Sequence, residues 1–374
     1  MPFDVLEFPD ASRTDRAVTR QCRRLVAIWL FTVAAMIMVM IVLGGATRLT
    51  GSGLSIMEWA PLMGALPPAS DAEWHRLFAL YQKISQYTLV NEGFGLDGFK
   101  QIFWLEWTHR LWGRLIGVVF LLPLLWFWAT ARIERRLLPR LAVLFVLGGL
   151  QGAVGWFMVA SGFLPEATSV SPYRLVVHLT LALMLYATIV WTGLSALSPA
   201  RDQPAVSPLF RRLALTSLAM VSLTILAGGF TAGLHAGLTY NTFPLMDGRL
   251  VPDGYAALHP LVRNLTENVA TVQFDHRLLA TVTLVLVSAT AIAGWRTGLR
   301  RPLAVCLGTA VLCQYGLGVT SLLLVVPVSV AVLHQFGAVS LLTVMLVVLH
   351  ARSGITRSSR QRAEAKVRIE TTAL

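Results

Sequence analysis

Apolar side chains in this chain come in long unbroken blocks rather than in alternation. Eight blocks stand out, at roughly 25–46, 108–131, 139–160, 173–197, 213–232, 275–295, 303–325 and 329–350. Crossing a bilayer takes about 20 consecutive apolar residues. In hydrocarbon each block must be a helix, because only a helix satisfies its own backbone donors and acceptors. The pattern therefore predicts an all-α polytopic membrane protein with eight transmembrane helices. Residues 47–105 separate the first two blocks, with turn residues Pro61, Pro67, Pro68, Gly93 and Gly95 and a short amphipathic stretch around Asp71–Tyr81. A connector of that length is usually functional rather than filler. Residues 233–272 form a smaller equivalent, again with Gly and Pro.

Composition removes the soluble alternatives: 55% of the 374 side chains are hydrophobic and only 13% charged. A net charge of +12 would by itself suit a nucleic-acid partner, but its distribution argues against one. Arginines crowd residues 13–24, 132–140, 201–212, 296–301 and 352–368, whereas the alternate connectors hold most of the Asp and Glu. This positive-inside pattern places the tail 1–24, the linker 199–212 and the basic tail 351–374 in the cytoplasm. The basic tails would face anionic lipid. Asp4, Glu7, Asp10 and Asp15, with no apolar run beside them, fit neither a secretory signal nor a transit peptide, so a bacterial cytoplasmic membrane is expected. Cys22 falls on the cytoplasmic side and Cys306 and Cys313 within the seventh block, so no disulfide is expected on the oxidising side.

The two halves of the chain read against each other. Leu43-Gly44-Gly45-Ala46-Thr47 recurs as Ala227-Gly228-Gly229-Phe230-Thr231, and Trp107-Thr108-His109-Arg110-Leu111 recurs as Phe274-Asp275-His276-Arg277-Leu278. Gln151 is answered by Gln314 and His178 by His334. The spacing falls from 184 through 167 and 163 to 156 residues, as it would if connectors shortened while helices persisted. Four helices per unit is an even number, so both units have the same orientation. The expected architecture is two parallel-repeat four-helix bundles, residues 25–198 and 213–350, related about an axis along the membrane normal.

His109, His178, His276 and His334 sit near the starts of the second, fourth, sixth and eighth blocks, two in each half. A histidine inside a span is costly and marks a functional site by default. Two pairs at equivalent positions, at similar depth toward the periplasmic side, suggest two bis-histidine sites, each holding a haem iron between neighbouring helices. A lone interface histidine satisfied by water is the competing reading for any one of them. Glu106, His109, Gly113 and Gly117 share a helix face, and Gly148, Gly149, Gly152 and Gly155 surround Gln151. Such glycines allow close helix packing, and beside a histidine they also leave room for a flat macrocycle. Arg110, Arg114 and Arg277 fit either snorkelling to the interface or pairing with haem propionates.

Gly44-Gly45-Ala46-Thr47-Arg48-Leu49-Thr50 with Ser52-Gly53-Leu54-Ser55, then Trp59, Pro67-Pro68, Trp74 and Glu106-Trp107-Thr108-His109-Arg110, resemble haem A synthase. So do Tyr240-Asn241-Thr242-Phe243-Pro244, Arg263-Asn264 and Gln273-Phe274-Asp275-His276-Arg277. The resemblance covers about residues 25–350. It implies oxidation of a ring methyl of haem O, in two successive steps, to the formyl group of haem A for terminal haem-copper oxidases. It also implies that one half holds the substrate and the other a haem b cofactor. Haem O synthase and an electron donor are possible partners, and an oligomer is compatible. Part of the family has a cysteine pair in the outward loops; this chain lacks it and is similar to the proteobacterial and mitochondrial branch.

Residue asymmetry bears on which half does the chemistry. Aligning His109 with His276 sets Glu106 against Gln273, its neutral near-isostere. Oxidising a ring methyl develops positive charge and moves protons, and a carboxylate one turn from the iron ligand can serve both needs. Glu106 is therefore the candidate catalytic residue, His109 and His178 the substrate haem ligands, and His276 and His334 the haem b ligands. A carboxylate near a helix N-terminus is favourable in any case, which is the plain alternative for Glu106. Two other classes stay open: a di-haem b-type electron-transfer cytochrome, which needs no such asymmetry, and a haem transporter, which more often shows inverted repeats and broken helices.

Overall fold

The computed structural model describes residues 11–61, 63–197 and 207–372, with the side chains of 11–19 and 352–372 left aside. The expected tail 1–24 lies partly, and the linker 199–212 largely, outside the described residues. Helix α1 (Ala11–Leu49) leads into a loop region carrying α2 (Asp71–Tyr81) and α3 (Ser85–Leu89). Then follow α4 (Leu96–Ala129), α5 (Leu138–Ala160), α6 (Pro172–Leu197) and α7 (Pro208–Gly233). A second loop region with the short α8 (Asn264–Glu267) precedes α9 (Val269–Arg296), α10 (Arg301–Leu323) and α11 (Val328–Thr372). Among the described residues, 8 helices are long and apolar enough to cross a membrane. Their outward surfaces are studded with apolar side chains such as Leu122, Val146, Met184, Val285 and Leu312, as contact with acyl chains requires.

Besides the extensions of α1 back to Ala11 and of α11 on to Thr372, two helix starts at the loop-bearing end differ from the hydropathy pattern. The second spanning helix begins at Leu96, a dozen residues before 108, and the sixth at Val269 rather than 275. In α4 the extra turns are polar on one side, with Lys100 and Gln101, so they do not register as membrane sequence. Their other side buries Phe99, Ile102 and Phe103 against Leu54, Trp74, Tyr81 and Ile84, forming a separate aromatic core on top of the bundle. The expected connector 47–105 is thus reduced to the residues between Leu49 and Leu96. Ser70 caps α2 by accepting from the Glu73 backbone N–H, the start of the S-x-x-E capping arrangement, and the predicted amphipathic stretch Asp71–Tyr81 is that helix. For α9, Asn268 caps the start by accepting from the Thr271 N–H.

Neighbour relations set the frame for the site. Helix α1 packs on α4 and α6, and α5 packs on the same two, closing a ring. Likewise α7 packs on α9 and α11, and α10 packs on the same two. The rings meet where α6 touches α7 and α11, and where α1 touches α11. Polar ties cross this seam inside the apolar core: Tyr186 to Thr343, and the Gln335 amide donating to the Ile41 carbonyl.

Candidate functional site

The four histidine rings share one packing rule: each lies against a glycine of the neighbouring helix. A Cβ built on Gly44 of α1 would stand 3.1 Å from His109 Nε2, and one on Gly155 of α5 would stand 2.9 Å from His178 Cε1. In the second half the same distance is 3.0 Å from Gly228 of α7 to His276 and 2.9 Å from Gly318 of α10 to His334. These glycines admit the imidazoles themselves. Gly117, Gly148, Gly149 and Gly152 have no side chain or foreign backbone within 4 Å of such a Cβ, so they leave a smooth open surface along α4 and α5.

Each pair lies within electrostatic range: His178 of His109, and His276 of His334. Nδ1 of His109, of His178 and of His276 is buried with no hydrogen-bond partner. A buried nitrogen without a partner is costly, and iron ligation would use such atoms. Glutamines attend the pairs. Gln151 donates to the His178 carbonyl at 3.0 Å, and Gln314 Nε2 lies 3.2 Å from His334 Nδ1. The Oε1 atoms of both glutamines are buried and unpartnered. Because an amide's O and N are assigned rather than seen, turning over the Gln314 amide sets Oε1 against a ring N–H, the acceptor that a ligating imidazole needs. Among the described residues no group of three or more His, Cys, Asp or Glu could hold a bare metal ion. Two histidines suit an iron whose other ligands come from a porphyrin.

Above the histidines, the two halves repeat a loop anchor. Gly51 (φ 67°) and His235 (φ 54°) are both left-handed, and each leads into a short 3-10 turn, Ser52–Leu54 and Ala236–Leu238. Arg110 then donates to the carbonyls of Ile56 (2.6 Å) and Glu58 (3.0 Å). Arg277 donates to those of Tyr240 and Thr242, residues at the same 184-residue offset. Arg114 likewise holds the Ala60 and Pro61 carbonyls. The three arginines suggested as propionate partners fasten the loops to the helices, and Nη1 of Arg114 and Nε of Arg277 stay buried without a partner.

Within that common frame the acid and the amide behave differently. Gln273 is buried and donates to the Ala236 (2.9 Å) and Thr239 (2.6 Å) carbonyls. Glu106 is also buried, at 3% exposure, but has no N–H to give; its Oε1 accepts from Arg110 Nε at 2.7 Å. Its Oε2 lies 3.9 Å from His109 Nδ1. It sits nearly three turns inside α4, where the field of the helix end has faded, so the helix-terminus account of this carboxylate fails.

Residues 27–346 match the cytochrome oxidase assembly protein family. The chain belongs to this family. A relative in Granulibacter bethesdensis named Heme A synthase is 62% identical over 353 residues, 93% of each chain. Relatives of that name in Rhodospirillum centenum (49% identical, 87% of each chain) and, as Heme A synthase 2, in Acidiphilium cryptum (48%, covering 87% of this chain and 91% of that one) agree. For this family member, the structure brings together His109, His178 and Glu106 in one ring of helices and His276 and His334 in the other. Sequence reasoning missed the pairing of each histidine with its glycine. The signal was present in one form, Gln-x-x-x-Gly, which occurs as Gln151/Gly155 and Gln314/Gly318.

Proposed function

We propose that this chain is a haem A synthase, an inner-membrane oxidoreductase that converts a ring methyl of haem O to the formyl group of haem A. In this reading the half spanning 25–198 holds haem O between His109 and His178. The half spanning 213–350 would hold haem b through His276 and His334, and that group would supply electron transfer. Both termini are cytoplasmic and the histidines lie toward the periplasmic face. The two halves are repeats of one four-helix unit.

The difference between Glu106 and Gln273, set in otherwise matching frames, carries this assignment. Glu106 keeps a negative charge and a proton-accepting oxygen beside His109, while Arg110 fixes its other oxygen. That arrangement can steady positive charge developing on a ring and take up a proton. Gln273 can do neither, which suits a site that retains its haem unchanged. Gly117, Gly148 and Gly152 leave room near His109 and His178 for a bulky ring and its substituents.

Matching glycine contacts at all four histidines would equally serve a di-haem electron relay. Extracting the pigments of the purified protein and identifying them by mass separates the two: haem B together with haem O or A is expected, whereas haem B alone means the relay. His276→Ala or His334→Ala should remove the low-spin haem b spectrum; an unchanged spectrum refutes that ligand pair.

A further inference from the structure

Arg48 is placed unlike the other arginines of the loop-bearing end. It lies in the last turn of α1, one turn beyond Gly44 and so on the same face. Gly44 is the glycine that receives His109. The Arg48 Nη1 reaches across the seam and donates at 2.8 Å to the carbonyl of Ala232 on α7. Ala232 lies one turn beyond Gly228, the glycine that receives His276. The guanidinium therefore stands between the two histidine pairs, at the end of the bundle where both lie.

Its donors are largely unspent. Arg110 has a carboxylate and two carbonyls, and Arg114 and Arg277 each have two carbonyls, with one buried nitrogen left over on each, Nη1 of Arg114 and Nε of Arg277. Arg48 is partly buried, and among the described residues it makes that single hydrogen bond and faces no carboxylate. A guanidinium has five N–H donors in a fork that matches a carboxylate, and cations away from water are ordinarily paired. The position at offset 184 in the other half is Ala232 itself, so the repeat provides one such cation rather than two. Its charge is felt locally: burial, and then the Arg48 guanidinium, hold the His235 imidazole below its ordinary value.

We propose that Arg48 anchors a carboxylate of a porphyrin at the seam between the halves. This rests on the haem reading above; the porphyrin is either the substrate in the first half or the resident haem of the second. The competing role is purely structural. Arg48 ends α1 and touches the last turn of α7, and the partial negative charge of two helix C-termini would favour a cation there without any ligand.

The full-length protein in detergent, with its resident haem, is compared with Arg48→Gln and Arg48→Lys. One measurement titrates iron-free mesoporphyrin and its dimethyl ester, followed by porphyrin fluorescence anisotropy; the other is the midpoint potential of the resident haem. If the substrate-side carboxylate is held, the wild type prefers the diacid, and Arg48→Gln weakens diacid binding about 10–100-fold, the loss of one charge-assisted hydrogen-bonded pair. The diester is unaffected, and Arg48→Lys restores part of the difference because it keeps the charge without the fork. If the resident haem's carboxylate is held, the midpoint potential falls in Arg48→Gln, since removing a nearby cation favours the ferric state, and the diacid preference stays. Unchanged values in both measurements, or equal weakening of diacid and diester with a lowered Tm, overturn the proposal in favour of the helix-end role. A wild-type protein that carries no haem and binds neither porphyrin overturns the haem reading itself, and this proposal with it.

Discussion

The two halves solve one structural problem twice and differ where chemistry would need them to. In both, a left-handed residue starts a 3-10 turn, an arginine one residue after the histidine pins the loop, and a glycine receives the imidazole. At the position three residues before the histidine the solutions part. Gln273 donates twice to its loop, so beside the histidine the second loop is held by both Gln273 and Arg277. Glu106 can only accept, so the first loop rests on Arg110 alone at this level, with Arg114 and the aromatic layer of Trp74, Phe99 and Phe103 completing the closure. The first half thus gives up loop-fastening hydrogen bonds to keep a buried carboxylate next to a histidine. A buried acid paired with arginine seldom stabilises a fold more than an apolar or neutral replacement; its presence at one of two equivalent positions speaks for use.

Making the first half like the second is the strongest way to break this comparison. Glu106→Gln should retain haem in both halves, since both histidine pairs and their glycines are intact and the new amide has Gln273's geometry to copy. Turnover should fall by ~10²–10⁴-fold, the usual cost of removing one general acid–base group. Haem O or a partly oxidised product should accumulate while haem A declines, as read by extracted haem mass. A variant making haem A at the normal rate would return Glu106 to a structural part.

The reverse change tests the structural side. Gln273→Glu removes two donors and turns a carboxylate toward the Ala236 and Thr239 carbonyls. Leaving buried groups unpaired costs about 1–3 kcal/mol each. The expected result is a lowered melting temperature and loosened second loop, with no gain of activity. If Gln273→Glu were as stable as the parent, the amide would not be fastening the loop.

A finer comparison runs along α5. Gly155→Ala places a methyl 2.9 Å from the His178 ring and should tilt it, altering the spectrum of a haem added to the purified protein if His178 is its ligand. Gly152→Ala, three residues away, meets nothing within 4 Å of the protein and should leave the ring alone; any effect would come from what lies in the open space. In a helix interior alanine is otherwise the better residue by up to about 1 kcal/mol, so a loss at Gly155 cannot be blamed on the helix. Equal behaviour of the two variants would show that the glycine–imidazole contact has no role in setting the ring.

Much of the architecture was legible because bilayer physics is written in composition. Apolar blocks of spanning length, alternating arginine-rich connectors and ordered pairs of His, Gln and Gly can all be read without coordinates, since each follows from the cost of polar groups in hydrocarbon. The start of α4 was not legible. Its first three turns are shielded by an aromatic core assembled from α2, α3 and a distant loop, and such long-range burial leaves no local period. The residue types of the site, four histidines and one acid, were likewise set by the sequence, as was the asymmetry of Glu106 and Gln273. Which side chain meets which was decided by tertiary packing alone: Arg110, Arg114 and Arg277 turn to loop carbonyls while Arg48, with the same chemistry, crosses to α7 with most of its donors free. The physical reason is that a guanidinium reaches several ångströms along a flexible stem, so its partner depends on what the fold brings within range rather than on its place in the chain.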